Sequence, residues 1–281
     1  MPKISVIGIC GNSFFMSVDN FHKSGETVVA KACFEEIGGK GINQAIAAAR
    51  MGAEVSFLAA IGDDADGEKC IAVAKENGIH GCFAVSKGKR STFAFILTDK
   101  NGENRVTEYV GAELTPDDVL DFEHQIAQSD ILLLQNEVPA AVNEKAIAIA
   151  EKYGVKVILN PAPIREIPKD IAEKLYLVTP NEHEKEGIKH LPFKNCVTTL
   201  GGKGCSINDV DFVNAIPVKP VDTTGAGDTF NGILAVCVAE GMDLKTACRY
   251  AVAGSGISVT RHGVITSIPT RKEIERMIKH D

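Results

Sequence analysis

Between residues 130 and 200, short apolar runs alternate with helix-length amphipathic segments so regularly that few folds can hold them. The order is a strand over 130–135 (DILLLQ), a helix over 139–153, a strand over 155–160 (VKVILN), a helix near 168–175, a strand over 176–179, a helix over 181–190 and a strand over 195–200. Unbroken Leu, Ile and Val runs are strands buried on both faces, and strands separated by a helix run parallel. The pattern predicts an α/β fold of three layers, with a central, mainly parallel sheet covered on both sides. Ligands of such a sheet belong at the carboxyl ends of its strands. Polar residues gather there: Glu137 after the first strand, Asn160 with Pro161-Ala162-Pro163 after the second, Asn181, Glu182 and Glu184 after the third, Thr199 and Gly201 after the fourth.

Upstream, 3–9 (KISVIGI) reads as another buried strand. Gly8 and Gly11 lack the third glycine and the helix start of a dinucleotide loop, so NAD is not implied. Gly38-Gly39-Lys40-Gly41 lacks the following Ser or Thr of a P-loop; it opens an alanine-rich helix through Met51, which Gly52 closes ahead of a strand over 54–61. A helix over 63–78 carries Asp63, Asp64 and Asp66 at its start, where the helix dipole favours them. From 81 to 110 the period changes to two, with a turn at Lys100-Asn101-Gly102-Glu103, which predicts a hairpin. With residues 12–36 it should form a small β lid on a single domain spanning 1–281. Thr115-Pro116 starts another helix, and two final helices near 243–259 and 270–280 flank Arg261-His262-Gly263.

A net charge of −7, with no lysine run or arginine-rich helix, points away from nucleic acid and anionic membranes and toward a small-molecule partner. The eight cysteines are scattered, without a C-x-x-C pair, and several lie in apolar runs, as free thiols in a reducing compartment would. The seven histidines show no ligand spacing. Only Lys3 precedes a short apolar run, and no stretch of eighteen apolar residues occurs, so a cytoplasmic location is expected.

The stretch most suggestive of chemistry is 222–230, Asp-Thr-Thr-Gly-Ala-Gly-Asp-Thr-Phe, which runs into the apolar helical pattern of Phe230, Ile233, Leu234 and Val236. Small residues before a helix leave its first amides open to an anion. Asp228 lies inside that hole as a proton acceptor, and Asp222 lies at the mouth of the loop. A glycine pair at Gly38 and Gly39 likewise offers close backbone approach to a polar ligand, with Asn43 on the next turn.

With Gly-Gly-Lys-Gly-x-Asn-Gln, Gly62-Asp63-Asp64, Asn160-Pro161-Ala162-Pro163, Thr179-Pro180-Asn181-Glu182 and the 222–230 string in this order, the chain resembles the ribokinase-like (PfkB) carbohydrate kinases from end to end. The resemblance implies transfer of the ATP γ-phosphate to a sugar hydroxyl. Asp228 would accept the proton, and the amides of Gly225, Ala226 and Gly227 would stabilise the transferring phosphoryl group. Gly38, Gly39, Lys40, Asn43, Glu137 and the residue at position 13 would face the sugar. Asn181, Thr199, Gly201 and Gly204 would line the ATP site, and Glu184 would organise Mg²⁺ through its waters. Asp222, Ser258, Arg261, Gly263 and Ser267 resemble a K⁺ site behind the loop. The expected partners are a small sugar and ATP, with a second copy of the chain pairing through the β lid.

Two departures stand out. Family members that take ribose hold two of its hydroxyls with an aspartate where this chain has Ser13, and a serine cannot replace a bidentate charged acceptor. Weak or absent ribose phosphorylation is expected, unless Asp19 or a backbone group takes over. The segment between Asn181 and Thr199 is also short for the family, which suggests a trimmed helix. Competing readings are a kinase of a nucleoside or phosphosugar, with Arg90 and Arg105 on the lid meeting a phosphate, and a non-catalytic sugar-binding regulatory protein. Retention of Asp228 argues against the latter, since binding alone needs no proton acceptor.

Overall fold

The computed structural model describes residues 1–101 and 103–280. Strands β1 (Lys3–Ile7), β2 (Gly11–Ser17) and β3 (Ala32–Gly38) precede α1 (Lys40–Arg50). Then come β4 (Glu54–Gly62), α2 (Ala65–Glu76), β5 (His80–Ser86), β6 (Thr92–Thr98) and β7 (Asn104–Tyr109). The middle of the chain runs α3 (Pro116–Asp121), α4 (Glu123–Ala127), β8 (Ile131–Gln135), α5 (Ala140–Tyr153), β9 (Lys156–Asn160), α6 (Lys169–Lys174), β10 (Leu177–Val178) and α7 (Glu182–Ile188). The last part holds β11 (Val197–Thr199), β12 (Gly204–Ile207), β13 (Asp211–Asn214), α8 (Ala226–Ala239), α9 (Leu244–Ser258) and α10 (Arg271–His280).

Six parallel strands make the central sheet in the order β10-β9-β8-β1-β4-β5. Alternate residues of each strand feed two separate cores: Ile4, Val6, Ile131 and Leu133 pack under α1, α8 and α9, while Ile7, Leu132 and Leu134 pack under α3 to α6. That division is the period-two geometry of a strand applied to continuous apolar sequence. Each such side chain, fully buried, contributes about 1.5–3 kcal/mol, which locks the register and so fixes where the strand ends fall. Helix starts follow their caps: Asp64 Oδ1 accepts from Gly67 N at 2.9 Å, and Thr115 and Asp118 form a reciprocal box, Thr115 N donating to Asp118 Oδ2 at 2.7 Å.

Three features differ from the sequence expectation. Residues 80–86, expected in the lid hairpin, are the edge strand of the central sheet, pairing in parallel with β4 from Ser56↔His80 to Gly62↔Ser86. The strand near 195–200 joins β12 and β13, which the sequence reading missed, in an antiparallel three-stranded sheet. Parallel bridges Val178↔Cys196 and Asn181↔Thr199 connect it onward to β10. The small sheet has the order β3-β2-β6-β7 and is mixed, with β2 and β6 parallel. Gly102, in the expected turn, lies outside the described residues. The eight cysteines are unpaired, five of them buried and Cys33 exposed.

Helix α8 is apolar on every side and buried from Asp228 to Val238, and it meets α1 at very short range. A Cβ at Gly232 would fall 2.4 Å from Gln44 O and 2.5 Å from Ala47 Cβ. Gly to Ala in an open helix gains about 1 kcal/mol; here we expect overpacking to reverse the sign, and Gly232→Ala to lose about 1–3 kcal/mol. A urea denaturation midpoint equal to or above that of the parent protein would contradict this packing.

Candidate active site

Helix α8 begins without a side-chain cap. Gly225 stands at its N-cap with φ 73°, where a Cβ would also meet Val264 Cγ1 at 2.4 Å. The left-handed backbone and the close Val264 both require glycine. Two residues on, a Cβ at Gly227 would meet nothing within 4 Å. Gly227 therefore faces free space, and the first amides of α8 are left for a ligand.

Three cavities converge on this turn. The first, about 230 Å³, is lined by Ser13, Gly38, Gly39, Lys40, Asn43 and Glu137 together with Gly225 and Asp228. All the residues expected to face a sugar thus line one cavity. The second, about 420 Å³, is largely apolar, with Ile216, Val218, Phe230 and Val252 beside Thr199, Gly201, Gly204, Ala226 and Gly227. Its apolar lining suits an aromatic ring. A third, about 170 Å³ and mostly polar, lies between them and is lined by Lys40, Asn181, Glu184, Thr199 and the segment Gly225–Asp228. Residues 223–228 supply walls to all three.

Asp228, 7 % exposed, is held from both sides. Asn43 Nδ2 donates to its Oδ2 and Gln44 Nε2 to its Oδ1, each at 3.0 Å. Gln44 is itself oriented: its Oε1 accepts from Gln135 Nε2 at 2.8 Å, and its amide nitrogen also reaches Asn160 Oδ1 at 3.2 Å. Asn160 Nδ2 donates to Thr179 O at 3.0 Å, and Asn231 Nδ2 to Gly227 O at 2.8 Å. The ends of β8, β9 and β10 therefore reach the α8 turn through one amide chain. The sequence reading passed over Gln44, Gln135 and Asn231. Their only sequence signal was the Gln after Asn43 in the glycine-rich string and a polar residue closing an apolar strand.

Lys40 N donates to Glu137 Oε2 at 2.8 Å, and its ammonium lies 3.9 Å from Oε1. Asp228 and, less strongly, Glu137 raise the Lys40 pKa and keep it charged. Burial pushes the Glu137 carboxyl up to about 8, against the opposing pull of Lys40. Asn181 and Glu184 make a capping box, Glu184 N donating to Asn181 Oδ1 at 2.8 Å and Asn181 N to Glu184 Oε2 at 2.9 Å. The box fixes both side chains at the polar cavity. The remaining expected residues lie behind the loop and line none of the three cavities. Asp222 Oδ1 accepts from Thr224 N at 2.9 Å, and Asp222 N donates to Val259 O at 3.2 Å. Ser258 and Ser267 are buried, Gly263 has φ 81°, and the Arg261 guanidinium is engaged by Ser267 O and Glu273.

A model of the pfkB family carbohydrate kinases matches residues 1–271. The chain belongs to this family. It is 34% identical over 294 residues to the ribokinase of Bacillus subtilis, covering 99% of this chain and 100% of that protein. The ribokinase structure from Thermotoga maritima matches with a TM-score of 0.89 at 33% identity, covering 99% and 100% of the two chains. That of Arabidopsis thaliana ribokinase, described as complexed with ribose and ATP, matches with 0.87 at 28% identity over 99% of each. The protein is an ATP-dependent sugar kinase, a phosphotransferase with a hydroxyl acceptor. Among the described residues, no helix is long and apolar enough to cross a membrane.

Asp19 does not take the place of an aspartate at position 13. Asp19 is exposed and paired with Lys31 at 2.5 Å, away from the sugar-side cavity. Arg90 and Arg105 do not line that cavity either; their guanidinium groups cover Phe93 and Phe21, at 5.2 and 4.1 Å from the ring centroids.

The raised Glu137 pKa has a stability consequence with a defined sign. The folded protein keeps this proton up to about 8, whereas the unfolded chain releases it near 4.5, the ordinary value of a glutamate carboxyl, so Glu137 costs stability progressively as pH rises between the two. Glu137→Gln, which can still accept from Lys40 N, should gain on the parent protein as pH goes from 5 to 8 and level off above. Urea midpoints of both proteins at half-unit pH steps would show it, and a difference independent of pH would mean that Glu137 ionises normally.

Proposed function

We propose that the kinase phosphorylates a hydroxyl of an unphosphorylated sugar other than ribose, with Asp228 as the proton acceptor. The observation that carries this reading is the position of Asp228 in the shared wall of the sugar-side and polar cavities, at the N-terminus of an uncapped helix. An acceptor hydroxyl held by Gly38, Gly39, Lys40, Asn43 and Glu137 would present its proton to the carboxylate. Asn43 and Gln44 fix that carboxylate in orientation, which favours attack from one direction. Gly225, Ala226 and Gly227 line the polar cavity, and their amides would stabilise charge on the transferring group there without reorganisation.

ATP fits the remaining space: the apolar cavity at Thr199, Gly201 and Gly204 for the base, and Asn181 toward the phosphates. Mg²⁺, which neutralises phosphate charge and keeps several waters, suits a site offering one carboxylate and one amide, and we assign Asn181 and Glu184 to its hydration shell. K⁺ would supply fixed positive charge behind the loop, against Asp222 and the Ser258, Arg261, Gly263 and Ser267 segment. Arg261 would contribute its carbonyl there, its guanidinium being already engaged.

An unphosphorylated acceptor follows from charge. Glu36, Glu108 and Asp228 line the sugar-side cavity beside Glu137, which keeps its proton up to about 8, and among the described residues Lys40 is its one cation; a phosphosugar would meet more carboxylates than cations there. Ribose is disfavoured by Ser13, although the relatives named above are ribokinases. Use of ATP and free thiols suit a cytoplasmic protein, and the exposed Phe95 and Tyr109 of the small sheet suit pairing with a second copy.

Two variants separate catalysis from folding. Asp228→Asn should lower kcat by about 10²-fold or more with ATP affinity nearly unchanged. It should also lose about 1–3 kcal/mol of stability, because the new amide leaves Asn43 or Gln44 facing a donor. Retention of half the parent rate would remove Asp228 as the base. Gly227→Ala points its methyl into free space, so stability should hold or rise while kcat falls by about 10²-fold through loss of close phosphoryl approach. Unchanged turnover would exclude the α8 turn from the reaction.

A further inference from the structure

The small sheet roofs the sugar-side cavity with side chains from one of its faces, and strand register fixes which residues lie abreast. Ser13 pairs with Glu36 on one side and Ala94 on the other, and Ala94 pairs with Glu108. All four line the cavity. The row Glu36-Ser13-Ala94-Glu108 thus carries small residues at its centre and a carboxylate at each end. The ends differ. Glu36 is fully employed, its oxygens accepting from Val264 N at 2.7 Å, Ile265 N at 2.9 Å and Thr266 N at 3.3 Å. Glu108, exposed on the edge strand β7, has no side-chain partner among the described residues. It is nonetheless close enough to the reaction side of the cavity to influence both Lys40 and Glu137. At the cavity's inner end, Asn43 Oδ1 is buried and without a partner, an acceptor that calls for a donor from whatever fills the space. The row behind Ser13 is apolar, Phe15 pairing with Ile96 and Ile96 with Val106.

We propose that Glu108 determines acceptor specificity by binding neighbouring hydroxyls at the end of the sugar remote from Asp228. Serine and alanine at 13 and 94 clear the centre of the roof. The only unengaged carboxylate of the row stands two strand spacings, roughly 10 Å, from position 13. A sugar held there lies toward β7, with hydroxyls on Glu108 and an apolar edge against Phe15, Ile96 and Val106. A diol bound by one carboxylate is a charge-assisted, geometrically selective contact. This inference rests on the acceptor being an unphosphorylated sugar.

The test measures kcat and KM of the parent protein, Glu108→Gln and Glu108→Ala on pentoses, hexoses and their deoxy analogues at saturating ATP and Mg²⁺. The KM for the best acceptor should rise about 10- to 100-fold in Glu108→Ala, with kcat, the KM for ATP and the urea midpoint nearly unchanged. The deoxy analogue lacking the engaged hydroxyl should be a poor acceptor for the parent protein, yet no poorer than the full sugar for Glu108→Ala, which identifies the contact by a double cycle. Ser13→Asp in the Glu108→Ala background should shift the preferred acceptor instead of restoring the original one. Acceptor KM values that stay within twofold in Glu108→Ala, or deoxy analogues that lose equally in both proteins, would overturn the assignment and leave the sugar-kinase reading in place. A parent protein active on none of the sugars would overturn the proposed acceptor and this assignment together.

Discussion

Burial of the Asp228 carboxylate is the constraint to which the surrounding structure answers. An ionised carboxylate removed from water costs several kcal/mol unless hydrogen bonds replace its hydration. Here Asn43 and Gln44, consecutive on α1, replace that hydration from two sides. Neither donor can be supplied unless α1 and α8 pack almost backbone to backbone, and that approach is what Gly232 permits. The packing of two helices in the core and the orientation of a side chain at the cavity are thus one feature. Gln44 extends it to the sheet through Gln135 and Asn160, so the strand ends, the helix pair and the α8 turn hold one another in place.

The parts of the fold visible in the sequence are those set by local chemistry. Continuous apolar runs gave the parallel strands, and Thr115 and Asp64 marked helix starts because a side-chain oxygen satisfies open amides. What was not visible depends on pairing between distant residues. Strand β5 reads as part of the lid because, as an edge strand, it is only partly buried and its apolar run, Cys82 to Val85, is short, and period alone cannot say which sheet a strand joins. Strands β12 and β13 are four residues each and lie among glycine and turn residues. Gln44 reads locally as a polar residue in an alanine-rich helix; its meaning comes from Asp228, 184 positions away.

The same distinction governs the site. Glycine-rich strings announced where the backbone would be open, and the cavities gather Ser13, Gly38, Lys40, Glu137, Gly225 and Asp228 as neighbours. The Asn181–Glu184 box shows that one pair of residues can serve the helix start and still stand at the cavity wall, since only one oxygen of Glu184 is used in capping. A cap reading and a ligand reading therefore do not compete at that position.

The acceptor cavity is built from two parts of unequal rigidity. Its inner wall belongs to α1, α8 and the end of β8, where Asn43 and Gln44 hold the buried Asp228 between them, so a change there disturbs Asp228 as well. Its roof belongs to the small sheet, whose edge strand β7 is exposed at all six positions. Substitutions on an exposed edge strand cost little stability, so the roof can change what it holds without moving Asp228. A carboxylate placed at the edge of the roof instead of its centre would alter the acceptor while the chemistry of transfer stayed the same. On the proposed role of Glu108, the carboxylate that selects the acceptor and the Asp228 carboxylate stand on separate elements, β7 and α8.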